Sequence, residues 1–242
     1  MERNILQRRK IDSIIEEFDT FGINSHTMPN AIGMWENEQE CLLWAALNSP
    51  EKGDWIEIGA FCGGSAVLLC LASLDRRLTV HSVDLNFNPY FDFNVYTRGK
   101  FVHIHKKIEC NSSKLRKHYN SPTSLAFIDG YHSFQQVLVD FEQVRPLLVD
   151  GAYILFHDTS PYIYDENYRA KLLEDMNYDA LVNDPSENFY LDEAVAYICD
   201  KYGYNIVKPP VYNPNDAHFE ETGLSEWVRG TTSPFNSVVI IQ

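Results

Sequence analysis

Trp55-Ile-Glu-Ile-Gly-Ala-Phe-Cys-Gly-Gly-Ser-Ala-Val-Leu-Leu69 is the stretch that decides the fold. A short β-rich run ends at Gly59, a glycine-bearing turn follows, and a helix of small residues opens near Gly64. Gly59 permits a sharp change of direction, and Gly63 and Gly64 remove Cβ atoms that would block a ligand or the incoming helix. The unpaired N–H groups at the start of that helix face the ligand's polar atoms. The next hydrophobic strand, Leu78-Thr-Val-His-Ser-Val-Asp84, ends in a carboxylate. An acidic residue at that place accepts hydrogen bonds from the hydroxyls of a ribose. Together these features predict a ligand that contains a nucleoside.

Spacing narrows the choice. A dinucleotide site carries G-x-G-x-x-G, whose second glycine makes room for a pyrophosphate. Here that position is Phe61, which argues against NAD or FAD and so against a nicotinamide oxidoreductase. The pattern Glu57-x-Gly59-x-x-x-Gly63-Gly64-Ser65 resembles motif I of the class I S-adenosylmethionine methyltransferases, and Glu57 to Val67 is similar to the corresponding loop of their catechol O-methyltransferase branch.

The rest of the chain alternates. Strands are expected near 54–59, 78–84, 101–107, 124–129 and 152–157, with helices near 64–74, 111–118 and 133–148. Such alternation favours a parallel sheet covered by helices on both faces. Residues 5–18 read as an amphipathic helix, which would cover the ligand, form a dimer or pack on the core. Asn37 is the expected cap of a second helix ending at Pro50. Residues 86–99 read as a turn-rich loop beside the pocket. Residues 160–190, with one short helix near 167–175, exceed an ordinary connection and read as a lid or insertion. A helix at 191–202, a strand at 204–208, a Pro-rich loop at 209–234 and a strand at 237–242 complete the chain. The expected organisation is a helical extension over 1–50 and an α/β domain over 51–242.

Composition removes several classes. The 242 residues carry a formal net charge of −14, which disfavours a phosphate-backbone partner. Lys106, Lys107, Lys114, Arg116 and Lys117 lie close in sequence and read as a solvated face. Cys41, Cys62, Cys70, Cys110 and Cys199 show no C-x-x-C pair, so zinc-type spacing is absent and reduced thiols in a cytoplasmic protein are expected. No run of 18 apolar residues is present, and residues 1–11 lack the apolar core of a signal peptide.

A second constellation adds chemistry. Asp129 and Asp158 each end an expected strand, on the edge where ligands of open parallel sheets bind. His132 opens the following helix and His157 precedes Asp158. The stretches Ile128-Asp-Gly-Tyr-His132 and Leu147-Leu-Val-Asp-Gly-Ala-Tyr-Ile-Leu-Phe-His-Asp-Thr159 resemble the metal-dependent small-molecule O-methyltransferases, in the branch of macrolide-sugar O-methyltransferases and cephalosporin-hydroxylase-like proteins.

The resemblance covers residues 53–160 and implies a Rossmann-like class I fold: a mostly parallel seven-stranded sheet, helices on both faces and an antiparallel C-terminal strand. It implies S-adenosylmethionine as cofactor, held by Glu57, Gly59, Ala60, Phe61, Gly63 and Ser65 of the loop and by Asp84 and Asp129. After the third strand, Asn111 and Ser112 either contact adenine or cap the next helix. It implies a divalent ion, Mg²⁺ or Mn²⁺, on Asp129 and Asp158, with His132 as the general base that deprotonates an acceptor hydroxyl. His157 stands where related chains carry an acidic residue. As a metal ligand it would favour a softer ion, and otherwise it contacts substrate or supports the ligands. Taken singly, each of these residues reads equally well as a cap or a structural group.

His103 and His105 read as structural. Tyr162, Tyr164, Trp227 and Arg229 are candidate substrate contacts. The function expected is methylation of a small-molecule hydroxyl, such as that of a sugar or glycosylated metabolite, without nucleic acid or membrane as partner and with a homo-oligomer open. The alternative is a methyltransferase-like binding module without turnover.

Overall fold

The computed structural model describes residues 2–22, 33–34, 36–87, 93–183, 190–209 and 238–242. Trp227, Arg229 and most of the 209–234 loop lie outside the described residues, as do 88–92 of the pocket loop and 184–189 of the insertion.

Strands β1 (Asp54–Ile58), β2 (Val80–Asp84), β3 (His105–Glu109), β4 (Thr123–Ile128), β5 (Leu148–Phe156), β6 (Ile206–Val207) and β7 (Val239–Ile241) form one sheet in the order β3-β2-β1-β4-β5-β7-β6. The pairs from β3 to β5 are parallel, and β7 runs antiparallel to both β5 and β6. Every residue of β4 is buried, as expected of a strand covered on both faces. Chain order reverses between β1 and β4, which opens a crevice at their carboxyl ends. Register lines up that edge: Ile58 pairs with Val83 on one side and Ile128 on the other, and Ile128 pairs with Phe156. Gly59, Asp84, Asp129 and His157 follow these residues immediately and therefore emerge together.

The helix after β1, α3 (Gly64–Ser73), is buried along its whole length, because it lies beneath the N-terminal helices α1 (Glu2–Asp19) and α2 (Glu36–Asn48). Ile11, Ile14 and Phe18 of α1 enter the core, whereas Ile5 and Leu6 stay exposed. Of the roles open to α1, core packing is the one described here. α2 starts at Glu36, so Asn37 lies within it rather than capping it.

β3 begins four residues later than the expected 101, after α4 (Phe93–Tyr96). Phe101 is buried against Phe21 and Phe93, so this apolar run packs between elements instead of pairing in the sheet. His103 falls in the preceding turns and His105 opens the strand, stacked on Phe93 with its Nε2 2.7 Å from Ser82 Oγ. Lys106 and Lys107 are exposed on this edge strand, where charge discourages further pairing.

After β4, α5 (Phe134–Val144) buries Phe134, Val137, Phe141 and Val144 along one face. The insertion contains α6 (Glu166–Asp175) and α7 (Tyr178–Asn183), the latter unforeseen, and α8 (Leu191–Tyr202) follows. All five cysteines are free thiols.

Candidate functional site

The loop after β1 is held from two sides. Gly59 has φ +93°, and a Cβ there would lie 1.9 Å from the Asp129 carbonyl oxygen, so only glycine fits. Phe61 also has a positive φ of 43° and turns its ring outward, 52% exposed. Its backbone N–H donates to Asp84 Oδ2 at 2.9 Å, and the Asn86 N–H donates to Asp84 Oδ1. Asp84 therefore fastens the loop, and its carboxylate retains further acceptor capacity. Glu57 is buried behind the loop, accepting from Ser65 Oγ at 2.7 Å and Ser82 Oγ at 2.5 Å. Burial lifts its carboxyl to about 7, against the pull of the two serine hydroxyls.

At the β3 side, Asn111 caps the 3₁₀ turn Ser112–Lys117, accepting from the Ser113 N–H at 2.9 Å. Ser112 Oγ accepts from Gln136 Nε2 at 3.0 Å, and the same nitrogen donates to Asp140 Oδ1 at 2.7 Å. Gln136 and Asp140 lie one turn apart on α5.

The reactive end collects three carboxylates and two imidazoles. His132 Nε2 lies 3.3 Å from Asp129 Oδ1, and its Nδ1 lies 3.1 Å from Asp158 Oδ2. Burial works against the imidazolium, but the Asp129 hydrogen bond and both carboxylate charges outweigh it and raise the His132 pKa above 6.5. His157 is almost fully buried, with Nδ1 3.1 Å from Asp129 Oδ1 and Nε2 3.3 Å from Glu38 Oε2. Desolvation opposes its charge, yet Asp129 and Glu38 raise its pKa well above 6.5. Desolvation likewise opposes the Asp129 anion, but the charge of His157 and its hydrogen bonds hold the carboxyl below its usual range. Asp158 has φ +57°, a left-handed conformation rare for a residue with a side chain.

Among the described residues, ligand atoms of Asp129, His132 and Asp158 gather within 4.8 Å of one another, close enough to share an ion. His157 is not in that group. Its two nitrogens are turned to Asp129 and to Glu38. Of the expected ligand set of Asp129, His157 and Asp158, the two aspartates fall in this group, with His132 beside them.

A cavity of about 480 Å³ joins these parts, within the range of small-molecule sites. Gly59, Ala60, Phe61, Ser65, Asp84, Asn111, Ser112, Asp129, His132, His157 and Asp158 all line it; Glu57 and Gly63 do not. Glu57 acts from behind the wall, and Gly63 turns the chain into α3 at φ 81°. Tyr164 is buried, and its hydroxyl donates to the Val238 carbonyl, so it anchors the C-terminal strand instead of meeting substrate. Sequence reasoning missed Glu38, Gln136 and Asp140. The i, i+4 spacing of the last two was available as a signal; nothing distinguished Glu38 from its acidic neighbours.

A mostly parallel sheet in this order, with an antiparallel β7 and helices on its faces, is the Rossmann-like fold of class I methyltransferases. Residues 56–159 match the family described as a methyltransferase domain, a segment that holds every polar group of the reactive end except Glu38. Among curated proteins, none matches this sequence. Of solved structures, the chain is similar to the SAH-bound methyltransferase PaMTH1 of Podospora anserina, with a TM-score of 0.54, 15% identity and coverage of 96% of this chain and 87% of that one. It is also similar to cofactor-bound Rv0187 from MTB, with a TM-score of 0.52, 12% identity and coverage of 96% and 88%. At these identities the likeness concerns the fold.

Proposed function

We propose that this chain is an S-adenosylmethionine-dependent O-methyltransferase acting on a hydroxyl of a small molecule, of the sugar or glycosylated-metabolite type, with help from a divalent cation. The observation that carries the reading is the Asp129–His132–Asp158 group lining the same cavity as the glycine loop. The methyltransferase-domain match and the cofactor-bound state of the two similar structures support the cofactor. The cradle fits it: Gly59 lets the loop lie against the Asp129 backbone, and Asp84 stands where a ribose would be held.

When bound, the cofactor supplies an activated methyl group on its sulfonium. The protein supplies alignment and electrostatics. His132 is the proton acceptor offered to a substrate hydroxyl, and the flanking carboxylates of Asp129 and Asp158 raise its basicity and stabilise the imidazolium once formed. Asp129 and Asp158, with His132 beside them, would hold the cation, whose charge lowers the pKa of a bound hydroxyl. His157, charged and pinned by Glu38, keeps Asp129 ionised and oriented.

Calorimetric titration of S-adenosylmethionine with Mg²⁺, with Mn²⁺ and with EDTA tests the reading. Binding near −8 kcal/mol, on the order of micromolar, is expected. It would be followed by transfer of labelled methyl to a panel of sugars and glycosides. Absence of binding under every condition would reject the enzyme in favour of a binding module.

A further inference from the structure

Asp140 is a carboxylate only 1% exposed in the second turn of α5, yet it lines the cavity. Its Oδ2 is the nearest neighbour, at 3.0 Å, of a Cβ built on Gly130, so it lies directly beneath the loop that follows β4. The wall it shares with Ser112 and Gln136 has an unusual hydrogen-bond balance. Both amide hydrogens of Gln136 are committed, one to Ser112 Oγ and one to Asp140 Oδ1. Both side-chain donors of Gln136 are therefore consumed within the trio. What Gln136 and Asp140 retain is acceptor capacity: the Gln136 carbonyl and the Asp140 carboxylate.

The carboxylate also fixes which way the amide points. A flipped Gln136 would set its carbonyl oxygen against Asp140, acceptor against acceptor. Burial lifts Asp140 to about 6, opposed by the Ser112 and Gln136 hydrogen bonds, so at neutral pH the group is mainly ionised and accepts only.

We infer that Asp140, acting with Gln136, is a specificity-determining residue that reads the 6-amino group of the cofactor's adenine and rejects a 6-oxo purine. The inference rests on the cofactor reading above and extends it. With the ribose at Asp84, the base falls toward the wall formed by Leu85, Ser112, Gln136 and Asp140. An exocyclic amine presents two donors to a wall of acceptors. A carbonyl at the same position meets like lone pairs and leaves buried acceptors unpaired.

The test compares S-adenosyl-L-homocysteine with its deaminated analogue, S-inosyl-L-homocysteine, by calorimetry on the full chain. The wild type should prefer the adenosyl compound by about 30-fold or more. Asp140→Asn frees the Gln136 amide to turn, and the ratio should fall to about 3-fold or less without weakening of the inosyl compound. Gln136→Leu, at a partly exposed position, removes one acceptor and should narrow the ratio independently if Asp140→Asn does not fold, as judged by thermal melting. Equal affinity of the wild type for both compounds would overturn the inference while leaving the cofactor reading intact. So would an undiminished ratio in folded variants. If the wild type binds neither compound, the cofactor reading fails and the inference falls with it.

Discussion

A Cβ placed on Gly59 would sit 1.9 Å from the backbone oxygen of Asp129. The glycine loop after β1 and the residue that follows β4 are thus in direct backbone contact, across the point where the strand order reverses. No rotamer can relieve an overlap with backbone, and φ +93° is unfavourable for any other residue. Gly59→Ala is expected to cost more than about 3 kcal/mol of stability or to displace the loop. Either way S-adenosylhomocysteine affinity falls by at least about 100-fold, since some 2.7 kcal/mol of binding corresponds to that factor. Calorimetry with a thermal melt checks this; normal binding in the alanine variant would remove the close approach as a constraint.

Glu38 and His157 form a buried pair that joins the helical layer to the sheet edge. Removing Glu38 leaves the His157 ring with Asp129 but without its second carboxylate, at a cost of about 1.5–3 kcal/mol, that of a hydrogen bond to a charged group. Glu38→Leu should show a loss of that order in urea unfolding at pH 6. The sign of the pH effect follows from His157, whose folded pKa is raised. Its contribution is fully present below the unfolded value of about 6.5 and fades as pH rises through the folded value. The gap between wild type and Glu38→Leu should therefore shrink in alkaline buffer. A gap independent of pH would mean that the pair is held by packing rather than by charge.

Much of this site was legible before the structure, for a physical reason. Gly59 and Asp129 directly follow strands, Asp84 ends one and Asp158 lies two residues beyond another, and strand ends can be placed from hydrophobic runs. Their convergence is then a consequence of parallel register, seen in the pairing of Ile58 with Val83 and Ile128. What stayed hidden depends on tertiary packing. Glu38 sits among Glu36, Gln39 and Glu40 in a helix whose acidic residues look alike in sequence, and only the fold buries it. The contact of His157 with Glu38 joins residues 119 apart in sequence, so no local pattern announces it. β3 was misplaced because Phe101 and Ile104 resemble strand residues while packing between helices and sheet.

Glu57 makes a separate prediction about stability. Its folded pKa is raised by burial to about 7 from 4.5, so the folded state binds a proton that the unfolded state has released across that interval. Stability should fall as pH rises from about 4.5 to 7 on this account. His105 acts in the opposite direction, since burial lowers it to about 4 and its contribution grows as pH rises to 6.5. The two partly cancel in wild type below pH 6.5. Comparison with Glu57→Gln isolates the carboxyl: the variant should gain on wild type between pH 5 and 8, by an amount on the order of 2–3 kcal/mol. Parallel profiles would show that Glu57 is not held protonated by its surroundings.

Asp158 offers the cleanest separation of charge from backbone. Its φ of +57° would strain an alanine, but asparagine adopts the left-handed region with little penalty. Asp158→Asn should therefore keep the turn after β5 while removing one of the anionic ligands beside His132. Hard cations favour charged oxygen ligands over a neutral amide. Mn²⁺ affinity, followed by the paramagnetic resonance of the free ion, is expected to fall by at least about tenfold, by analogy with the 10–100-fold effect of losing a supporting carboxylate. S-adenosylhomocysteine affinity should change little, because the substitution alters neither Asp84 nor the glycine loop. Asp129→Asn provides the companion variant, and it should weaken Mn²⁺ as well. If both variants bind Mn²⁺ as the wild type does, the carboxylates do not form a cation site, and their task is to orient and charge His132 alone.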